Sequence, residues 1–186
     1  MGISMRQKHI AFFLEPAYGH IIPTLGIALE LIRRGQRVSY AVTSEFAPAI
    51  HRIGAHAVIF KPLQTRSKVL AEVLPNPSMI DDRASALNEL VRERTEDSLP
   101  QLEAQYHDNK PDLVIQDECE DIAGRSLALK WDIPHIRLFP TIIPPNLERS
   151  FADGQLVLVP VPRFFQKRPE HLGRHFKFIG FIPEGR

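Results

Sequence analysis

The amino-acid sequence predicts an α/β fold, a doubly wound parallel sheet with helices on both faces. Short apolar segments without polar alternation recur along the chain, which is typical of strands buried on both faces. Amphipathic helical patterns separate them, and glycine or proline stands at most of the junctions. Strands that alternate with helices are parallel and joined by right-handed crossovers, so one layered domain is expected.

The first strand and helix enclose the most informative turn of the chain. The strand is expected from His9 to Leu14, and the helix from Ile22 to Arg34, with Gly35 ending it. Between them, the turn that ends in Gly19 and His20 places an imidazole where open α/β sheets bind ligands. Because His20 is expected just outside the positive end of the helix, its neutral form is favoured, and it is a candidate general base.

The remaining elements complete the alternation. The short second helix is expected to be capped by Thr43 or Ser44, and Pro100 to kink or divide the long third helix. The segment 62–77 is expected to be loop-like because prolines interrupt it. The other predicted strands are 37–42, 57–60, 113–117, 135–139, 156–159 and 175–179, and the other helices are 45–53, 80–107 and 121–130.

The common strand order 3-2-1-4-5 makes strands 1 and 4 neighbours, and therefore brings His20 close to Asp117 at the end of strand 4. A carboxylate that accepts from one imidazole nitrogen fixes the tautomer and stabilises the imidazolium. The pair is then a candidate general base for a hydroxyl. Two simpler interpretations stay open: His20 bonds only the backbone of its turn, and Asp117 only caps the next helix.

Composition limits the partners. The 186 residues are enough for one substantial core, and 23 Lys and Arg against 22 Asp and Glu favour neither nucleic acid nor an anionic membrane surface as partner. Cys119 is the only cysteine, and no apolar run is long enough for a signal core or a membrane span, so we expect a cytoplasmic protein with no membrane insertion. Residues 1–7 are expected to be a disordered leader and residues 8–180 the domain.

Other kinds of site fit the sequence less well. A dinucleotide site requires G-x-G-x-x-G after the first strand, but Gly19 is followed by bulky residues up to Gly26. The acids around Cys119 are more typical of a solvated helix start than of a metal site, and they disfavour an activated thiolate. No metal and no resident cofactor are therefore expected.

The sequence resembles the N-terminal domain of inverting glycosyltransferases with the two-domain GT-B architecture, a Rossmann-like domain, and in particular the bacterial macrolide and flavonoid enzymes. The similarity covers nearly the whole chain in order. The segments that carry it are 17–20 with Pro23, 30–40, 45–47, 99–102, 111–114 with Asp117, and 176–180.

The resemblance implies that His20 deprotonates the hydroxyl of a hydrophobic small-molecule acceptor, with Asp117 as its partner. It implies a UDP-sugar as co-substrate, held mainly by a C-terminal donor domain that is absent here. Residues 181–186 would then begin the interdomain linker, and the chain alone would be inactive. The residues expected to line the acceptor pocket, for each of which ordinary core packing is an alternative, are Tyr18, Leu74, Met79, Ile142 and Ile143.

Two departures from the family pattern stand out. Ile22 replaces a common asparagine, and only Thr141 to Gln155 remains of a longer helical excursion that helps to wall the acceptor pocket. Two other functions stay open: a noncatalytic small-molecule binding module, in which the His20 and Asp117 pair is structural, and a different α/β enzyme that uses His20 as its base.

Overall fold

The computed structural model describes residues 6–61, 80–117, 123–143, 155–180 and 182. Seven strands form one parallel sheet in the order β3-β2-β1-β4-β5-β6-β7. The predicted order 3-2-1-4-5 is confirmed, and β6 and β7 extend it at one edge. The strands are β1 His9–Phe13, β2 Arg37–Val42, β3 His56–Ile59, β4 Leu113–Asp117, β5 His135–Leu138, β6 Val157–Val159 and β7 Phe176–Phe178.

The four α-helices of the described residues are α1 Tyr18–Arg33, α2 Ala47–Arg52, α3 Ile80–Tyr106 and α4 Ala123–Trp131. A turn of 3-10 helix, Ser44–Phe46, precedes α2. The start of α4 was expected at residue 121, which lies outside the described residues, as do Cys119 and the segment 62–77. None of the described helices is both long enough and apolar enough to cross a membrane.

The start of α1 corrects the sequence prediction. The helix begins at Tyr18 rather than Ile22, so His20 lies within its first turn and not outside it. Ala17 is the N-cap, with extended backbone angles, and its carbonyl accepts from the amides of His20 and Ile21, both at 3.0 Å. The side chain of Ala17 cannot cap, which is why the sequence did not show this boundary.

Two further helix predictions hold only in part. Thr43 is the N-cap of the 3-10 turn, but its side chain makes no capping hydrogen bond; instead, the Thr43 carbonyl accepts from the Phe46 amide at 3.2 Å. Pro100 does not divide the long helix, since α3 runs through it from Ile80 to Tyr106, and a kink at Pro100 stays a prediction. Pro100 and Glu96 are both exposed, so water can satisfy the Glu96 carbonyl that proline leaves without a donor.

The sheet is buried on both faces. Phe12 and Phe13 are adjacent in β1, point to opposite faces, and are each 0% exposed. Phe12 packs with α1 and α2, whereas Phe13 packs with α3 and α4 in a second cluster. A third cluster, which includes Phe139 and Phe176, covers the β6 and β7 end of the sheet. The layers hold the carboxyl ends of β1 and β4 side by side.

Candidate active site

The site lies at the carboxyl edge of the sheet, where β1 and β4 run in parallel with Phe13 opposite Gln116. Asp117 is the last residue of β4 and is fixed by pairing with Leu138 of β5. His20 comes from the first turn of α1, four residues after the turn at Pro16. The crossover topology thus brings together two residues that are 97 positions apart.

The imidazole of His20 bonds the carboxylate of Asp117, from Nδ1 to Oδ2. Asp117 is fully buried, with 0% of its side chain exposed, whereas His20 keeps 12% of its side chain exposed. A carboxylate only accepts hydrogen bonds, so Nδ1 carries the proton and Nε2 is the basic nitrogen of the neutral ring. The arrangement orients the ring and can stabilise the imidazolium that forms when Nε2 takes a proton.

Three of the five predicted acceptor-pocket residues lie among the described residues, two of them exposed and one buried. Tyr18 is 69% exposed and packs edge-on against Phe46, with 5.0 Å between ring centroids. Ile142 is also exposed, but Ile143 is buried in the third apolar cluster, and its amide donates to Gln166 Oε1 at 3.0 Å. Leu74 and Met79 lie outside the described residues. Contact of any of these side chains with an acceptor stays a prediction.

Metal ligation finds no support in the part of the chain that the structure describes. Among those residues, no three His, Cys, Asp or Glu side chains lie close enough together to hold an ion. The acids that follow Asp117 are not among the described residues. The chemistry that the described residues do support is general acid–base catalysis by the His20 imidazole.

The sequence analysis missed a polar network at the opposite, amino-terminal edge of the sheet. His9 Nε2 bonds Ser39 Oγ at 2.8 Å, and Ser39 Oγ bonds the Tyr106 hydroxyl at 3.0 Å. Burial and, secondly, the charge of Arg37 lower the pKa of His9 to about 4, and burial raises the pKa of Tyr106. The strand period could have revealed it, because His9 and Ser39 lie on the face covered by α3.

Comparison with known proteins identifies relatives among glycosyltransferases, although no protein-family model matches the chain. It is 42% identical over 142 residues to a demethyllactenocin mycarosyltransferase of Streptomyces fradiae, an alignment that covers 74% of this chain and 30% of that protein. It is 33% identical over 209 residues to the NDP-glycosyltransferase YjiC of Bacillus licheniformis, covering 95% of this chain and 52% of that enzyme.

The solved structures lead to the same group. The crystal structure of CalG4, the calicheamicin glycosyltransferase, superposes with a TM-score of 0.74 at 27% sequence identity, covering 95% of this chain and 53% of CalG4. The chain thus spans about half the length, or less, of the proteins it matches. The chain thus has the Rossmann-like fold of the GT-B glycosyltransferases, and in sequence and structure it is similar to the N-terminal domain of such an enzyme.

Proposed function

We propose that this chain is the acceptor-binding half of a glycosyltransferase, which transfers a sugar from a nucleotide sugar to a hydroxyl of a hydrophobic small molecule with inversion. In this proposal His20 is the general base and Asp117 orients it. The single observation that carries the proposal is the bond from His20 Nδ1 to the buried Asp117 carboxylate at the carboxyl edge of the sheet. This edge is where open α/β sheets bind ligands.

The proposed reaction is a single displacement. His20 Nε2 takes the proton of the acceptor hydroxyl while the acceptor oxygen forms a bond to the anomeric carbon of the donor sugar. The bond between that carbon and the phosphate oxygen breaks on the opposite side, and the nucleoside diphosphate leaves with the bonding electrons. Attack opposite the leaving group inverts the anomeric centre. Asp117 stabilises the imidazolium until its proton passes to solvent.

Substrate binding is divided between two domains in this proposal. The exposed Tyr18 ring, supported by Phe46, offers an aromatic surface for a macrolide, a flavonoid or a similar acceptor. The nucleotide is held mainly by a C-terminal donor domain, so the chain alone binds acceptor but does not turn it over. The UDP-sugar donor, the absence of a cofactor, the cytoplasmic location and the boundary of the domain at residue 180 all stay predictions.

Reconstitution tests the proposal. The chain is mixed with the separately expressed C-terminal domain of the Bacillus licheniformis relative, a hydrophobic polyphenol or macrolide, and UDP-glucose or TDP-glucose. Product is measured by mass spectrometry, and its anomeric configuration by NMR coupling constants. We expect His20→Ala to reduce transfer by about a hundredfold or more, the usual contribution of a general base. The matched control is His51→Ala, which changes an exposed histidine of α2.

Several outcomes distinguish the proposal from its alternatives. Transfer that survives His20→Ala within a few-fold, or a product of retained configuration, contradicts the proposed mechanism. Acceptor binding that is unaffected by His20→Ala, with no turnover in any reconstitution, favours the noncatalytic binding module. Tight binding of the nucleotide sugar to this chain alone contradicts the proposed division between the domains.

A further inference from the structure

A cavity of about 480 Å³ opens at the amino-terminal edge of the sheet. It lies at the end of β1 opposite to the one that leads to His20, and five strand residues at about 3.3 Å each separate the two edges by roughly 16 Å. The cavity is lined by the segment before β1, the start of β2 and the loop before β4. Its charged side chains are four cations and one carboxylate, namely Arg6, Lys8, Arg37, Lys110 and Asp112.

The single carboxylate is already engaged by the cavity wall. Asp112 Oδ1 accepts from Lys8 Nζ at 2.8 Å, and Oδ2 accepts from the backbone amide of His9 at 2.8 Å. These hydrogen bonds hold the pKa of Asp112 below its usual value. The Arg37 guanidinium donates instead to the side-chain carbonyl of Asn109, at 2.5 Å. An amide carries no net charge, so this bond orients Arg37 without neutralising it.

The cavity therefore holds an excess of positive charge, although the whole chain has a formal net charge of only +1. His9 lines the same cavity, and the positive charge of Arg37 contributes to the lowering of the His9 pKa. Clustered cations repel one another, and a bound anion relieves that repulsion. Guanidinium groups in particular match the geometry of phosphate oxygens.

We propose that this cavity binds the phosphate group of a small phosphorylated molecule, with Arg6, Arg37 and Lys110 as the charged donors. The volume supports a ligand larger than a lone ion, because cavities of roughly 300–1,000 Å³ are typical of small-molecule sites. The site is separate from the glycosyl-transfer site, and the inference does not depend on the proposed function.

His9 supplies a spectroscopic reporter of occupancy. The titratable and charged groups around its imidazole are Arg37 from β2, Tyr106 from α3, and Lys110 and Asp112 from the loop before β4, with Lys8 preceding β1. A phosphate dianion among them favours the protonated imidazole. Occupancy of the cavity should therefore raise the pKa of His9 and move its ring resonances.

The test is an NMR titration of the whole chain at constant ionic strength, with chloride as the background anion. The ligands are inorganic phosphate, adenosine monophosphate and, as a phosphate-free control, adenosine. We expect saturable shifts of the His9 ring resonances with both phosphates and none with adenosine. Arg37→Gln and Lys110→Gln should each weaken binding about tenfold, the effect of losing one charge-assisted hydrogen bond. Lys177→Gln, on the exposed face of β7, should not change it.

Each outcome of the titration either supports or overturns the phosphate site. Tighter binding of the nucleotide than of inorganic phosphate supports an organic phosphate ligand, whereas equal affinities support binding of the phosphate group alone. Shifts that do not saturate, or that persist unchanged in both variants, overturn the proposal. If Arg37→Gln impairs folding, Lys110→Gln retains the test because the Lys110 side chain is exposed.

Discussion

The buried histidine of β1 should make the stability of the domain depend on pH. His9 is 4% exposed, and burial together with Arg37 lowers its pKa from 6.5 to about 4. The unfolded chain therefore binds a proton at higher pH than the folded chain does. The neutral His9 contributes fully to the free energy of unfolding above its unfolded pKa of 6.5. This contribution declines as the pH falls towards its folded pKa of about 4.

The size of this effect follows from the two pKa values. Each pH unit of separation corresponds to about 1.4 kcal/mol, so the full effect is about 3 kcal/mol, and about 2 kcal/mol of it should be lost between pH ~7 and pH ~5. His9→Gln removes the titrating group while keeping a side chain that can bond Ser39. Whatever its stability at neutral pH, the variant should lack this part of the pH dependence.

Urea unfolding of the wild type and of His9→Gln at about pH 7 and about pH 5 measures the difference directly. The gap between the two proteins should shrink by about 2 kcal/mol at the lower pH. His51→Gln, an exposed change in α2, is the control and should leave the slope of the wild type unaltered. Parallel pH profiles for the wild type and His9→Gln, or an NMR titration that places the pKa of His9 near 6.5, would refute the reasoning.

Three glycine substitutions test the packing and backbone arguments, and all are read by urea unfolding. In Gly124→Ala the added Cβ would lie 2.7 Å from Phe13 Cβ. The resulting overpacking should cost about 1–3 kcal/mol of stability, which should exceed the gain in helix propensity of about 1 kcal/mol. A stabilised variant would contradict this close approach. In Gly54→Ala the added Cβ meets no atom within 4 Å, but the backbone φ of 83° should make the variant about 1–2 kcal/mol less stable. Gly19 has equally open surroundings but lies in helix α1, so Gly19→Ala should be neutral or stabilising.

The strand order was predictable because the strands that matter are apolar throughout and alternate with helices. Because Phe12 and Phe13 are both buried, β1 is expected to be a central strand of the sheet. Right-handed crossovers then place β4 next to β1. The contact of His20 with Asp117 follows from that order rather than from any local motif. Topology predicts such a pair well because the carboxyl ends of neighbouring parallel strands meet at one edge.

Helix starts were less predictable, because the first amides of a helix can bond a backbone carbonyl as well as a capping side chain. The residue type at the boundary therefore does not fix where the helix begins. Ala17 caps α1 with its backbone alone, so no Ser, Thr, Asp or Asn marks the boundary. Before α2 the reverse holds, since Thr43 stands at the N-cap of the 3-10 turn but its side chain makes no capping hydrogen bond. The error at α1 mattered, because it placed His20 in the loop, whereas His20 lies in the first helical turn.

The two histidines near the ends of β1 show why position on a sheet does not by itself identify a base. Cations outnumber the one carboxylate in the cavity beside His9, and its protonated form is disfavoured there by burial and by Arg37. His20 has a buried carboxylate on Nδ1, which stabilises the imidazolium that a base must become during the reaction. Both rings are held by hydrogen bonds. Only the bond between His20 and the Asp117 carboxylate becomes stronger when the imidazole takes up a proton. Burial and the charge of Arg37 both disfavour a charged His9 ring, whereas the carboxylate beside His20 favours one, which is why the proposed base lies at the carboxyl edge and the proposed anion site at the amino edge.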